Sequence, residues 1–174
     1  KTEEVRESSI DISKKDPFSI LLLGVDTGDL GRTEQGRSDT MMVMTVNPNV
    51  NKVTIVSIPR DTRTEIVGHG TTDKINHAYA FGGTAMSVNT VQEMLDIPID
   101  YFVEVNMQGL QDIVNAVGGV QVTSPLTFST EGYNFTEGVA VSLDGKAALA
   151  YSRMRYEDPN GDNGRQERQR QIIQ

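Results

Sequence analysis

Five of the chain's ten arginines, Arg153, Arg155, Arg165, Arg168 and Arg170, fall within residues 145–174. The chain around them is acidic, with a formal net charge of -8. Two cations about 4 Å apart repel by about 4 kcal/mol at an effective dielectric near 20. Arginines that converge in a fold therefore call for an anion between them. Phosphate suits them, because the planar guanidinium fork grips two oxygens at once.

Carboxylates supply the other half of the chemistry. Asp26 ends one apolar run and Asp39 opens the next, with a single loop between them. If the two runs are neighbouring strands, the carboxylates approach each other. Two carboxylates plus phosphate oxygens is a common way of holding Mg²⁺, with Mn²⁺ as a substitute. Hydrogen bonding within the loop is the plainer role for either aspartate. Arg37, Arg60, Lys74, Arg153, Arg155 and Arg165 added to the pair make a diphosphate site the economical reading. Arg60 and Asp61 follow Pro59 at the rim of a strand; alone they are an ordinary surface ion pair worth under about 1 kcal/mol. The two histidines, His69 and His77, are too few for a histidine metal site, and His77 is expected to be packed or hydrogen-bonded structure. There is no cysteine, hence no disulfide framework and no thiolate zinc site. No nucleophile elbow and no Walker loop occur.

These side chains need elements to position them. Residues 18–25 form an apolar run bounded by turn signals, the pattern of a strand buried on both faces. Asp26 and a loop with Gly28, Gly31 and Gly36 follow, at a strand end of the kind where open α/β sheets bind ligands. Residues 40–46 and 52–58 read as an antiparallel hairpin turned by Asn47-Pro48-Asn49. A helix is expected over 73–80 with Asp73 as its cap, broken by Gly82-Gly83, and another over 84–95. Further expectations are a strand over 100–106, a helix over 109–117 stopped by Gly118-Gly119, a strand over 120–123, a loop or hairpin over 125–138, and a helix over 144–151. Ser152-Arg153-Met154-Arg155-Tyr156 alternates, so an extended segment would place Arg153 and Arg155 on one face. Turn formers fill 158–164. A last helix capped by Asp162 or Asn163 would place Arg165, Arg168, Gln169 and Ile172 on one side, with Arg170 on the other. Arg165 in its first turn meets the wrong end of the helix dipole unless an anion sits there. The sum is an α/β fold with a mixed sheet and helices on both faces.

A length of 174 residues fits one domain, and 37% hydrophobic residues suffice for a core. The acidic balance argues against nucleic-acid binding. Residues 1–17 read as a linker or mobile arm and 18–174 as the domain. The chain is expected to be a soluble piece of a longer protein, truncated at its C-terminus, with any membrane span outside it.

Six stretches in order carry a resemblance: Leu22-Leu23-Gly24-Val25-Asp26, Arg37-Ser38-Asp39-Thr40, Ile58-Pro59-Arg60-Asp61, Lys74-Ile75-Asn76-His77-Ala78-Tyr79, Ser152-Arg153-Met154-Arg155-Tyr156, and Asp162-x-Gly164-Arg165-x-x-Arg168-Gln169. From Phe18 onward the chain resembles the LytR–CpsA–Psr family of cell-wall enzymes. The resemblance implies a three-layer α/β/α sandwich with an apolar groove for a lipid tail. It further implies a membrane-anchored domain on the extracytoplasmic face, mainly in Gram-positive bacteria. Such enzymes transfer a glycan polymer, a teichoic acid or capsular polysaccharide, from a polyprenyl-pyrophosphate carrier to peptidoglycan. By the same analogy Asp26 and Asp39 would hold Mg²⁺. Arg37, Arg60, Lys74, Arg153, Arg155, Arg165, Arg168 and Gln169 would line the pyrophosphate site.

The leading expectation is therefore a phosphotransferase in which a peptidoglycan hydroxyl attacks the glycan-side phosphorus. Arg60, Arg153 and Arg165 would stabilise the transferring group, and Asp61 or Asp162 is the candidate base. Two alternatives remain open at this point: a hydrolase of the same pyrophosphate, and a binding module for polyanions or prenyl lipids that regulates without chemistry.

Overall fold

In the first strand, β1 (Phe18–Val25), burial alternates. Ser19, Leu21, Leu23 and Val25 are buried, and the residues between them are half-buried. This corrects the expectation of a strand buried on both faces: period-2 side chains give it one buried face and one half-buried face. The computed structural model describes residues 1–2, 5–26 and 36–174. The loop positions Gly28 and Gly31 lie outside the described residues.

The described chain divides into two compact units, Lys1–Asn106 and Met107–Gln174. In the first, β1 pairs antiparallel with β2 (Ser38–Asn47), which pairs antiparallel with β3 (Lys52–Ser57) as the hairpin pattern requires. A two-stranded hairpin follows, β4 (Arg63–Ile66) and β5 (Thr71–Lys74). Helix α1 (His77–Leu95) comes next, and then β6 (Tyr101–Val105), which lies parallel to β1. The sheet order is β3-β2-β1-β6, a mixed sheet. Leu21, Leu23 and Val25 of β1 and Met41 and Val43 of β2 share a core with Tyr79, Val88 and Val91 of α1. Gly82 and Gly83 have non-helical backbones and kink α1 where the glycine pair predicts a break. Asp73 lies in β5, not at a helix cap, because it pairs across the hairpin with Thr64. In residues 1–17, Arg6 donates to both carboxylate oxygens of Asp100 at 2.6 and 2.8 Å, and Asp100 also accepts the Ser19 N–H.

The second unit holds α2 (Met107–Ala116), β7 (Val120–Thr123), the hairpin β8 (Phe128–Thr130) and β9 (Tyr133–Phe135), β10 (Ala140–Leu143), α3 (Gly145–Arg153) and α4 (Gly161–Ile173). Strand β10 pairs antiparallel with β7. Asp144 caps α3 by accepting the Ala147 N–H at 2.8 Å. Gly145 is required by contact: a Cβ there would fall 2.3 Å from the Gln111 carbonyl oxygen of α2. The core joins Val114, Val122, Phe128, Phe135, Leu143, Tyr151 and Ile172. Phe128 stacks on Phe135 and on Tyr151, and Phe135 meets Tyr151 at a tilt, with ring centroids 4.8 to 5.9 Å apart. The α/β class and the mixed central sheet agree with the reading of the sequence.

Candidate active site

The first unit brings six of the candidate residues to one end of its sheet. Gly24 pairs with Thr40 and Val25 with Ser38, so Asp39 is the extra residue of a β-bulge. A bulge re-aims the side chain it carries. Gly24 makes room for the pairing, since a Cβ there would sit 2.9 Å from Thr40 Cβ. Asp26 follows β1 directly, at the same end. Its Oδ1 accepts the Arg37 N–H at 2.8 Å, and a Cβ on Gly36 would fall 1.7 Å from that oxygen. Glycine at 36 therefore lets the chain close against the carboxylate.

Arg60 Nη1 lies 2.8 Å from Asp39 Oδ1, and Lys74 Nζ lies 3.3 Å from Asp61 Oδ1. Lys74 and Asp61 keep 55% and 63% of their side-chain surface in solvent, whereas Arg60 and Asp39 keep 28% and 42%. Backbone bonds hold the two segments together: Asn76 N–H donates to Arg60 O and Ile75 N–H to Thr62 O, at 3.2 and 2.8 Å. Exposed pairs of this kind contribute little to stability. A phosphate with more negative charge can therefore compete for the cations at small cost.

Two carboxylates at one end of a strand pair are hard oxygen donors, the ligand type that Mg²⁺ takes. Among the described residues no group of three or more acidic or imidazole side chains forms that could hold a metal. The other positions of an octahedral ion would fall to phosphate and water.

The second unit sorts its arginines by depth. Arg153 is the last residue of α3, not part of an extended segment, because the helix runs two residues past the expected end at Tyr151. Its guanidinium is half-exposed, 3.5 Å from Glu131. Arg155 lies over the ring of the exposed Tyr156. Helix α4 begins at Gly161 with Asn160 as its cap residue and no side-chain cap bond, so neither Asp162 nor Asn163 caps it. Asp162 lies in its first turn and meets Arg165 Nη2 at 2.9 Å. Arg165 is largely buried, and the Gln169 side-chain oxygen is buried with no hydrogen-bond partner among the described residues.

Arg168 requires a correction. It is fully buried and does not line a ligand site. Its guanidinium donates to the Tyr151 carbonyl at 3.1 Å, to the Met154 carbonyl and to Asp158 Oδ2, and it lies 5.4 Å from the Phe128 ring centroid. The two carbonyls end α3, where a helix leaves its last acceptors without partners and favours a cation. Arg168 is thus the tie between α3, α4 and the loop at Asp158. Gly164 permits it, since a Cβ there would fall 1.8 Å from Asp158 Oδ2.

The sequence reading missed two features. Asp158 is expected only as a turn residue, and no local spacing marks it as the partner of Arg168. The Asp73–His77 pair, with His77 Nδ1 2.8 Å from Asp73 Oδ2, is visible as an i,i+4 spacing.

The chain is similar to solved structures and curated relatives of one family. The crystal structure of Bacillus subtilis TagU superposes with a TM-score of 0.76 at 57% identity, covering 91% of this chain and 64% of that one. A LytR-CPS2A-psr family protein, YwtF (TagT) with bound octaprenyl pyrophosphate lipid, superposes with a TM-score of 0.76 at 37% identity, covering 97% and 66%. A polyisoprenyl-teichoic acid–peptidoglycan teichoic acid transferase, TagU of Enterococcus faecalis, is 58% identical over 172 residues, 99% of this chain and 56% of the relative. The chain spans about half the length of the curated relatives it matches. The LytR_cpsA_psr family model matches residues 1–174, and by that match and these identities the chain belongs to the LytR–CpsA–Psr family.

Proposed function

We propose that the chain carries the phosphotransferase chemistry of a glycopolymer transferase. A teichoic acid or similar polymer moves from a polyprenyl-pyrophosphate carrier to a peptidoglycan hydroxyl, and polyprenyl phosphate leaves. The hydroxyl oxygen attacks the glycan-side phosphorus. The bridging P–O bond breaks, and its electron pair departs with the polyprenyl phosphate. In the first unit Arg37, Arg60 and Lys74 bind phosphate oxygens. In the second, Arg153, Arg155 and Arg165 are the cations suited to an anion, with Gln169 one turn after Arg165 on α4. Donors already in place act where negative charge develops, and they need little reorganisation at the moment of transfer. Asp26 and Asp39 are the residues that would hold Mg²⁺ or Mn²⁺, whose charge offsets that on the phosphate oxygens. Among the described residues no helix is long and apolar enough to cross a membrane. We place the domain on the extracytoplasmic face of the cell membrane, anchored by a span outside this chain.

The observation that carries the reading is the Arg60–Asp39 pair on the bulge beside Asp26, a cation and two carboxylates held at one strand end by exchangeable contacts. The test supplies polyprenyl-pyrophosphate-linked polymer with and without peptidoglycan and quantifies free polyprenyl phosphate. Transfer requires the acceptor. Equal release without acceptor indicates a hydrolase, and no release under either condition indicates a binding module.

A further inference from the structure

We infer that His77, oriented by Asp73, takes the proton from the acceptor hydroxyl as it attacks phosphorus. The inference rests on the transferase reading above. His77 opens α1 three residues after Lys74, next to the Asn76 N–H that is bonded to Arg60 O. Its imidazole is therefore carried on the segment that also carries the first unit's phosphate-binding cations.

The ring is set up as a base. Asp73 Oδ2 lies 2.8 Å from Nδ1, and Asp73 Oδ1 accepts the Lys74 N–H at 2.7 Å. Hydrogen bonds from His77 first and from the Lys74 backbone hold the Asp73 carboxyl below its ordinary range, so it stays ionised. An ionised carboxylate only accepts, so Nδ1 must carry the proton and Nε2 presents its lone pair. No hydrogen bond to Nε2 from another described residue is present. Phe81 meets the ring edge-on at 5.8 Å and is itself stacked on His69 at 4.0 Å, which fixes the ring plane. About a fifth of the His77 side-chain surface, 21%, is exposed, enough to receive a proton from a bound hydroxyl.

Of the two carboxylates that the sequence offers as bases, Asp61 faces Lys74 and Asp162 faces Arg165. An imidazole held by a carboxylate is the arrangement used to accept protons from such hydroxyls. In the step, the hydroxyl proton passes to Nε2, the new O–P bond forms, and the bridging P–O bond breaks towards polyprenyl phosphate. The charged or titratable groups facing the ring or its supports are Asp73 and Lys74 on β5, Asp61 beyond Lys74, and His69 behind Phe81.

His77→Gln separates this role from a structural one, because glutamine can still donate to Asp73 but cannot take up a proton. The expected result is a fall in kcat of about 100-fold or more. KM for the lipid donor and the thermal midpoint stay near wild type, and the acid limb of the kcat–pH profile is lost. Asp73→Asn lowers kcat less and shifts that limb. Wild-type kcat in His77→Gln overturns the inference, as does a parallel loss of stability and donor binding that Gln does not rescue. If His77→Gln fails to fold, Asp73→Asn decides: an unchanged pH profile overturns the inference and a shifted acid limb supports it. Binding of octaprenyl pyrophosphate to each variant distinguishes the two levels. Retained binding with wild-type transfer removes only the His77 role, whereas a wild-type protein that releases no polyprenyl phosphate removes the transferase reading itself.

Discussion

The two units use charge in opposite ways. At the sheet end of the first, Lys74–Asp61 is an exposed pair and Arg60–Asp39 a part-exposed one, between residues on short turns and strand ends. In the second, Arg168 and Asp158 pair with side chains 0% and 2% exposed, and the same guanidinium closes the end of α3. The family's motifs contain both kinds of arginine, and nothing in residue type tells them apart. Depth does. A pair in solvent is cheap to exchange for a ligand. A buried pair with each guanidinium nitrogen engaged is a structural joint whose loss leaves an uncompensated charge.

Breaking the buried joint should have the largest effect. Arg168→Ala should destabilise the second unit by about 3–5 kcal/mol, read by chemical denaturation, because Asp158 and two helix-end carbonyls lose their donor. Removing Asp158 as well should recover only part of that loss, since the Tyr151 and Met154 carbonyls remain unpaired. Gly164→Ala comes next. Its Cβ cannot coexist with Asp158 Oδ2 in the present geometry, and a shifted carboxylate should cost about 2–3 kcal/mol in the same experiment.

The Tyr151 phenol sharpens the comparison through pH. Burial pushes it above its ordinary value. The unfolded chain then releases this proton first, so its contribution to stability is whole below about pH 10 and is lost as pH rises through the raised folded value. Denaturation midpoints followed into alkaline solution should show that loss. Tyr151→Phe should flatten it while giving up the hydrogen bond to Gln171. The smallest effect is expected at the exposed rim, where Asp61→Asn should change stability by less than about 0.5 kcal/mol.

Local patterns made much of this fold legible. The β2–β3 hairpin follows from alternation around Asn47-Pro48-Asn49, and the kink in α1 from Gly82-Gly83. The stop after α2 follows from Gly118-Gly119, both at positive φ. What stayed hidden depends on partners distant in the chain. Helical spacing puts Arg165 and Arg168 on one side of α4 but says nothing of which one sinks beneath α3. Arg168 is chosen by carbonyls 14 and 17 residues earlier. The bulge that carries Asp39 is a property of pairing with β1, invisible in the residues 38–40 themselves. Asp73 had the right composition for a helix cap, yet cross-strand pairing with Thr64 outweighed local preference. Strands β4 and β5 are four residues each, all polar but Ile66, and too short for a periodic signal.

The most direct test of the central claim, that Arg60 at the sheet end serves the substrate and the fully buried Arg168 serves the fold, is the polymer-transfer rate of Arg60→Ala with its unfolding midpoint measured on the same sample. The account predicts a loss of transfer of about 100-fold or more in a protein as stable as wild type within about 1 kcal/mol. Transfer at the wild-type rate by a folded Arg60→Ala protein would contradict it.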